Sequence, residues 1–195
     1  MFFLHEHLEF PQVETTNEEG LLAVGGDLSP ERLLLAYQNG IFPWFNEGSM
    51  ILWWCPDPRM VLYPENIKIS KSMQKVLKSN QFRLTKNSCF EEVLNHCASV
   101  KRIGQEGTWI TNDMKEAYIE LHKKGLAQSY EVWEKDKLVG GLYGIDLGHV
   151  FCGESMFSTV SNASKFAFIR LAQESEVKAY KLIDCQLHTN HLESL

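Results

Sequence analysis

The sequence predicts a mixed α/β (α+β) fold whose larger part is built on one sheet. Three observations carry this. Amphipathic helical patterns come in succession, at ISKSMQKVLKSN, CFEEVLNHCASV and GTWITNDMKEAYIELHKKG. AQSYEVWEKDKLVGGLYGIDLGHVFCGESMF then reads as three strands, with turn signals at EKDK and DLGH. A further helix, NASKFAFIRLAQESEVKAY, leads into a last strand, KLIDCQL. Helices grouped around a meander are the pattern of such a domain.

The elements follow in order. Turn chemistry dominates the chain up to about Pro58. Asp27 and Ser29 offer N-caps, Pro30 suits a first helical turn, and Leu33, Leu34, Ala36 and Tyr37 form a helical stripe that Asn39-Gly40 stops. IFPWF reads as a loop. The two prolines of WWCPDPR make a boundary, giving a small N-terminal domain over 1–58 and a larger one over 59–195. RMVLYP then reads as a strand. Ser70 caps the next helix, which turns Ile69, Met73, Val76 and Leu77 inward. QFRLTKN alternates as a strand. Thr111 or Asn112 caps the helix that closes at Gly125.

The function classes narrow with composition. Hydrophobic residues at 44% and charged residues at 23% are ordinary for a soluble globular protein. No apolar run approaches the ~18 residues of a membrane span. The N-terminus MFFLHEHLEF carries acids and no basic stretch, so no signal peptide is expected. Five scattered cysteines without a CxxC pair favour reduced thiols in a reducing cytosol. A net charge of −6 argues against a generic nucleic-acid coat but leaves room for a local basic patch. Lys71, Lys75 and Lys78 fall on one helical face, just after Lys68, with no acid among them. They form either a solvated face or an island that meets a phosphate backbone.

KLIDCQLHTNHL crowds Asp184, Cys185, His188 and His191 together. On a strand, Asp184 and Gln186 share one face with Leu182, while Cys185 shares the other with Ile183 and Leu187. Cys185 among aliphatics reads as an inert small hydrophobe. His188 and His191 have chelating spacing, but a zinc site wants three or four ligands and no second pair matches. Asp184 and Gln186 are costly to bury without partners. They are either a hydrogen-bonded strand-end network or a pair beside a reacting amine or carbonyl. Glu154, in VFCGESMFS, is either half of a core ion pair or a receiver for a cationic substrate group, and Gly153 could mark a bulge there.

These residues, with GLLAVGGDLSPERLLLAYQNGIFPWF, ILWWCPDPR, EGTWIT, LVGGLYG, FCGESMFS, NASK and LIDCQ, closely resemble the leucyl/phenylalanyl-tRNA–protein transferases, from about Gly20 to the end. The resemblance implies a GNAT-like acyltransferase domain with a small N-terminal domain. It implies an enzyme that moves Leu or Phe from aminoacyl-tRNA to the α-amine of proteins beginning with Arg or Lys, creating an N-degron for proteolysis. The implied protein is a cytoplasmic monomer needing no cofactor, because the ester is already activated. By the same resemblance Asp184 and Gln186 are the catalytic candidates, set at a sheet edge, with Gln186 holding the attacking amine and Asp184 polarising its amide. Leu142, Phe151, Ile183 and Leu171 line the slot for the donor side chain. Trp44 and Trp109 meet the terminal adenosine, with Glu154 and Ser155 beside the adenosine or acceptor. Lys71, Lys75 and Lys78 match the basic helix that meets the acceptor stem, and Ser79 stands where a relative has Arg. The family's C-terminal tail is expected to be absent here. Three other readings compete with this one. Coenzyme A transfer would need a glycine-rich turn, and FSTVSNASKFA has none. A non-catalytic tRNA-binding module leaves the polar pair unexplained. A cysteine hydrolase lacks a thiol–histidine pair in an electropositive setting.

Overall fold

The computed structural model describes residues 2–100, 108–178 and 180–193, with the side chains of residues 175–178 and of His191 left aside. The Glu106 and Gly107 positions of EGTWIT, and Ser194 and Leu195 at the chain end, lie outside the described residues. The fold is mixed α/β, and the chain divides into two compact units, Met1–Pro58 with Ala98–Leu121, and Arg59–Cys97 with His122–Leu195.

The first unit holds a four-stranded sheet in the order β1 (Phe2–Leu4), β2 (Leu21–Gly25), β4 (Leu52–Trp54), β3 (Phe42–Pro43). The turn-rich stretch thus contains short strands that its composition conceals, and IFPWF supplies one of them. Pro43 is tolerated because β3 is an edge strand. Helix α1 (Pro30–Gln38) starts as expected, with the Ser29 hydroxyl accepting from the Arg32 N–H at 3.4 Å and Pro30 in the first turn. Arg32 is buried, and its guanidinium donates to Asp27 at 3.2 Å and to the carbonyls of His5 and His7 at 2.9 and 3.1 Å. The N-terminal segment is fastened in this way to α1. Helix α4 (Asn112–Lys123) belongs to this unit through Leu121. Thr111 caps it, accepting from the Met114 N–H at 3.2 Å, and the hydroxyls of Tyr37 and Tyr118 join α1 to α4 at 2.5 Å.

The second unit is organised on a six-stranded sheet, in the order β5 (Met60–Leu62), β10 (Leu182–Gln186), β9 (Val150–Ser158), β8 (Lys137–Asp146), β7 (Ala127–Glu134), β6 (Arg83–Lys86). β7, β8 and β9 form the expected antiparallel meander. Helix α5 (Ala163–Lys178) carries the chain over to β10, which lies parallel to β9 and antiparallel to β5. β10 is therefore one strand in from the edge rather than at it. Helix α3 (Phe90–Ser99) sets Val93 against Gly141, and α5 packs on β7, β8 and β9 over a core that includes Tyr130, Val132, Leu142, Phe151, Phe166 and Ile183. Helix α2 (Lys71–Lys78) is capped by Ser70, whose hydroxyl accepts from the Met73 N–H at 3.2 Å. A last helical turn, α6, spans Asn190–Glu193.

Two register shifts place the polar residues. Opposite β8, β9 carries one residue too many: Tyr143 pairs with Ser155 and Gly144 with Gly153, so Glu154 is the bulged residue. Opposite β5, β10 does the same: Asp184 pairs with Val61 and Gln186 with Met60, leaving Cys185 over. Gly144 is required at the first bulge. A Cβ there would sit 2.6 Å from the Phe151 ring and closer still to the Cys152 carbonyl oxygen.

Candidate active site

Asp184 leaves β10 only 7% exposed. A carboxylate in that position needs strong partners. The antiparallel pairing of β5 with β10 sets Arg59, the residue before β5, beside it. Arg59 Nε donates to Asp184 Oδ1 at 2.8 Å and Nη2 to Oδ2 at 2.6 Å, a two-pronged ion pair across 125 residues of sequence. The backbone N–H of Gln186 adds a third donor to Oδ1, at 2.9 Å. Three of the roughly four lone-pair positions of the carboxylate are thereby taken. Asp184 acts as an acceptor that fixes the chain, and its geometry is not that of a base open to a substrate amine.

Gln186 follows the bulge with a positive φ of 62°, a left-handed conformation uncommon for a residue with a side chain. Its side chain turns to β9, and Nε2 donates to Glu154 Oε1 at 2.7 Å. A carboxylate only accepts here, so the amide nitrogen must face Glu154 and the amide oxygen must face away. Sequence reasoning paired Asp184 with the Gln186 side chain. In the structure the contacts run otherwise: the amide nitrogen donates to Glu154, and Asp184 accepts from the backbone N–H of Gln186. The bulges explain why. Alternation put Asp184 and Gln186 on one face, and the extra residue at Cys185 breaks that alternation.

The four apolar candidates are brought together, and they are buried. Leu142 is 3% exposed and Phe151, Leu171 and Ile183 are at 0%, all within the core between the sheet and α5, which carries Leu171. Ile183 and Asp184 are consecutive on the regular part of β10, so they project from opposite faces of the strand. Met156 and Cys185 are among the half-buried residues packed against the core that holds this apolar set, and they lie two residues after Glu154 and one before Gln186. Ser155 is buried opposite Tyr143. Trp44 and Trp109 both belong to the first unit. Trp44 is 40% exposed and leans on Trp54 with ring centroids 5.7 Å apart, whereas Trp109 is buried ahead of α4. Lys71, Lys75 and Lys78 are all exposed on α2, with Met73 on its buried side. An open hollow of about 370 Å³, lined by Leu28, Pro30, Asp113, Glu116, Ala117 and Glu120, lies in the first unit and shares no residue with the polar site.

His188 meets Glu193 at 3.3 Å on the surface, and the His191 side chain lies outside the described residues. No group of three metal-ligating side chains occurs among the described residues. Burial, then the Asp184 charge, pushes the Cys185 thiol up to about 12, and burial does the same to Cys152 more strongly. Below those values both remain thiols, and the thiolate is the reactive form. Iodoacetamide at pH 7.5 is therefore expected to leave turnover nearly intact. Rapid inactivation with label on Cys185 would contradict this.

Arg59 is the residue that sequence reasoning missed. A buried aspartate implies a cation, but no spacing rule links position 59 to position 184. The one available hint was an arginine opening a strand immediately after a proline boundary.

The chain is similar throughout to known proteins. The model of the leucyl/phenylalanyl-tRNA protein transferase family matches residues 61–195, and that of its N-terminal domain matches residues 26–57. A leucyl/phenylalanyl-tRNA–protein transferase of Flavobacterium johnsoniae is 63% identical over 195 residues, covering 100% of this chain and 92% of the relative. One from Christiangramia forsetii is 58% identical over 197 residues, covering 100% and 93%. A family model matched over residues 61–195 and relatives 58–63% identical over the whole chain mean that the chain belongs to the leucyl/phenylalanyl-tRNA protein transferase family.

Proposed function

We propose that this protein is an aminoacyltransferase that moves Leu or Phe from aminoacyl-tRNA to the α-amine of proteins beginning with Arg or Lys, marking them for proteolysis. It works in the cytoplasm as a monomer, through a small N-terminal domain over 1–58 and a GNAT-like catalytic domain over 59–195. The observation that carries the reading is the Gln186 amide, whose nitrogen is given to Glu154 and whose backbone is held by the Asp184–Arg59 pair.

The chemistry needs little more. The acceptor α-amine, with an ordinary pKa of about 7.7–8.0, is partly neutral at physiological pH. Gln186 Oε1 accepts one of its N–H bonds and holds the lone pair toward the ester carbonyl. Attack forms the C–N bond and breaks the ester C–O bond. The proton lost by the amine ends on the released ribose oxygen. Positioning supplies the rate, since an oriented pair of reactants reacts as if at very high concentration. The donor side chain enters past Met156 and Cys185 toward Leu142, Phe151, Leu171 and Ile183. Trp44 and Trp109 receive the terminal adenosine, where stacking contributes about 1–3 kcal/mol per base, and Glu154 and Ser155 serve the adenosine or the acceptor. Lys71, Lys75 and Lys78 meet the acceptor-stem phosphates.

The test mixes the protein with radiolabelled Leu-tRNA and an Arg-starting protein, without ATP. Label is expected on the Arg-starting protein and not on an Ala-starting control. Binding of Leu-tRNA with no label transferred would make the protein a tRNA-binding module instead.

A further inference from the structure

We infer that Arg59 is a positioning residue of the transfer reaction, acting on Gln186 through Asp184. The inference rests on the reading of this site as an aminoacyl-transfer centre.

Each link is a short polar contact. The Arg59 fork fills one position on each Asp184 oxygen, at 2.8 and 2.6 Å. Oδ1 then takes the Gln186 N–H at 2.9 Å. That hydrogen bond spans the bulge, and it ties down the one β10 residue whose backbone is left-handed. The direction of the Gln186 side chain depends on that backbone conformation. Without the fork, Asp184 would be a nearly buried carboxylate missing its cation, and would turn toward water or another donor. The Gln186 backbone would lose that hydrogen bond, and its amide oxygen would drift from the attack position even with the pairing to Met60 and the hydrogen bond to Glu154 kept. Arg59 is half-buried, and both arms of its fork are given to Asp184, so the inference assigns it no contact of its own with the substrate. Lysine can stand in for it only in part. A single ammonium lacks the planar fork that matches two carboxylate oxygens at once.

The experiment compares wild type, Arg59→Met, Arg59→Lys, Gln186→Ala and the double variant Arg59→Met/Gln186→Ala, measuring kcat and KM for Leu-tRNA with an Arg-starting peptide. Arg59→Met is expected to lower kcat about 100-fold, the order of loss that follows a misplacement of about 1 Å. Its KM for Leu-tRNA should stay within about twofold. Arg59→Lys should recover part of kcat, to about tenfold below wild type. The decisive reading is the coupling. If Arg59 works through Gln186, adding Arg59→Met to Gln186→Ala lowers kcat by less than about twofold more. A general structural role would instead multiply the two losses, and that result overturns the inference. So does wild-type kcat in Arg59→Met. If circular dichroism shows Arg59→Met unfolded, Arg59→Lys with and without Gln186→Ala carries the same comparison. A wild-type protein that transfers nothing overturns the functional reading itself, whereas normal wild-type transfer with an indifferent Arg59→Met removes only this role.

Discussion

Asp184→Ala is expected to lose both stability and transfer while keeping its grip on tRNA. The side chain removed is the counter-charge of a guanidinium that is itself 19% exposed and only partly able to recover hydration. Breaking such a pair from one side costs about 3–5 kcal/mol when fully buried, and roughly 3 kcal/mol is appropriate to the partial exposure of Arg59. For a chain of this size the melting temperature should fall by roughly 6–12 °C. Asp184→Asn is not a gentle substitute. Its NH2 group must face Arg59 or the Gln186 N–H, all of them donors, so one hydrogen bond becomes a clash of like dipoles. We expect kcat to fall about 100-fold or more in Asp184→Ala at a temperature where the variant remains folded, with the Kd for charged tRNA within about threefold of wild type. Equal losses in binding and turnover would reduce Asp184 to a purely structural residue.

Much of the fold was legible in the sequence because the relevant signals are local. The helix caps Ser29, Ser70 and Thr111 each sit before an apolar stripe, and each accepts the N–H expected of it. The meander announced itself through long alternating runs separated by short polar turns. The four-stranded sheet of the first unit carries no such signal. Its strands are two to five residues long, too short for a period to show, and β1 pairs in parallel with a strand far along the chain.

The polar site divides along the same line. That Asp184, Gln186 and Glu154 were costly to bury followed from residue type alone. Which touches which did not, because the answer depends on two bulges. One extra residue at Glu154 and another at Cys185 turn the side chains of β9 and β10 toward each other. Alternation read along either strand by itself points the amide at the wrong carboxylate. The apolar set was legible as apolar, but composition does not separate a pocket wall from a core. In the structure Leu142, Phe151, Leu171 and Ile183 pack as core, with Met156 and Cys185 at the margin.

Replacing Lys71, Lys75 and Lys78 together by Gln is expected to raise the KM for charged tRNA strongly and leave kcat at saturation unchanged. The three ammonium groups are exposed on α2, and the helix is held from its other side by Met73, Val76 and Leu77. Exposed substitutions of this kind change stability by roughly 0.5 kcal/mol each at most, plus a small loss where Lys75 and Lys78 complement the helix C-terminus. Every phosphate that a lysine no longer neutralises should lower the slope of log affinity against log salt by about 0.9, so the triple variant should be without most of a modest slope. The body of the protein makes the test sharper. With a net charge of −6 before substitution, the variant has no basic face on α2 to offset repulsion of the phosphate backbone. Added salt would then screen repulsion rather than attraction, and the dependence should flatten or reverse sign. An unchanged salt slope would remove α2 from the tRNA interface. A fall in kcat at saturating tRNA would mean instead that the helix acts on the chemistry, a role for which its exposed lysines offer no route.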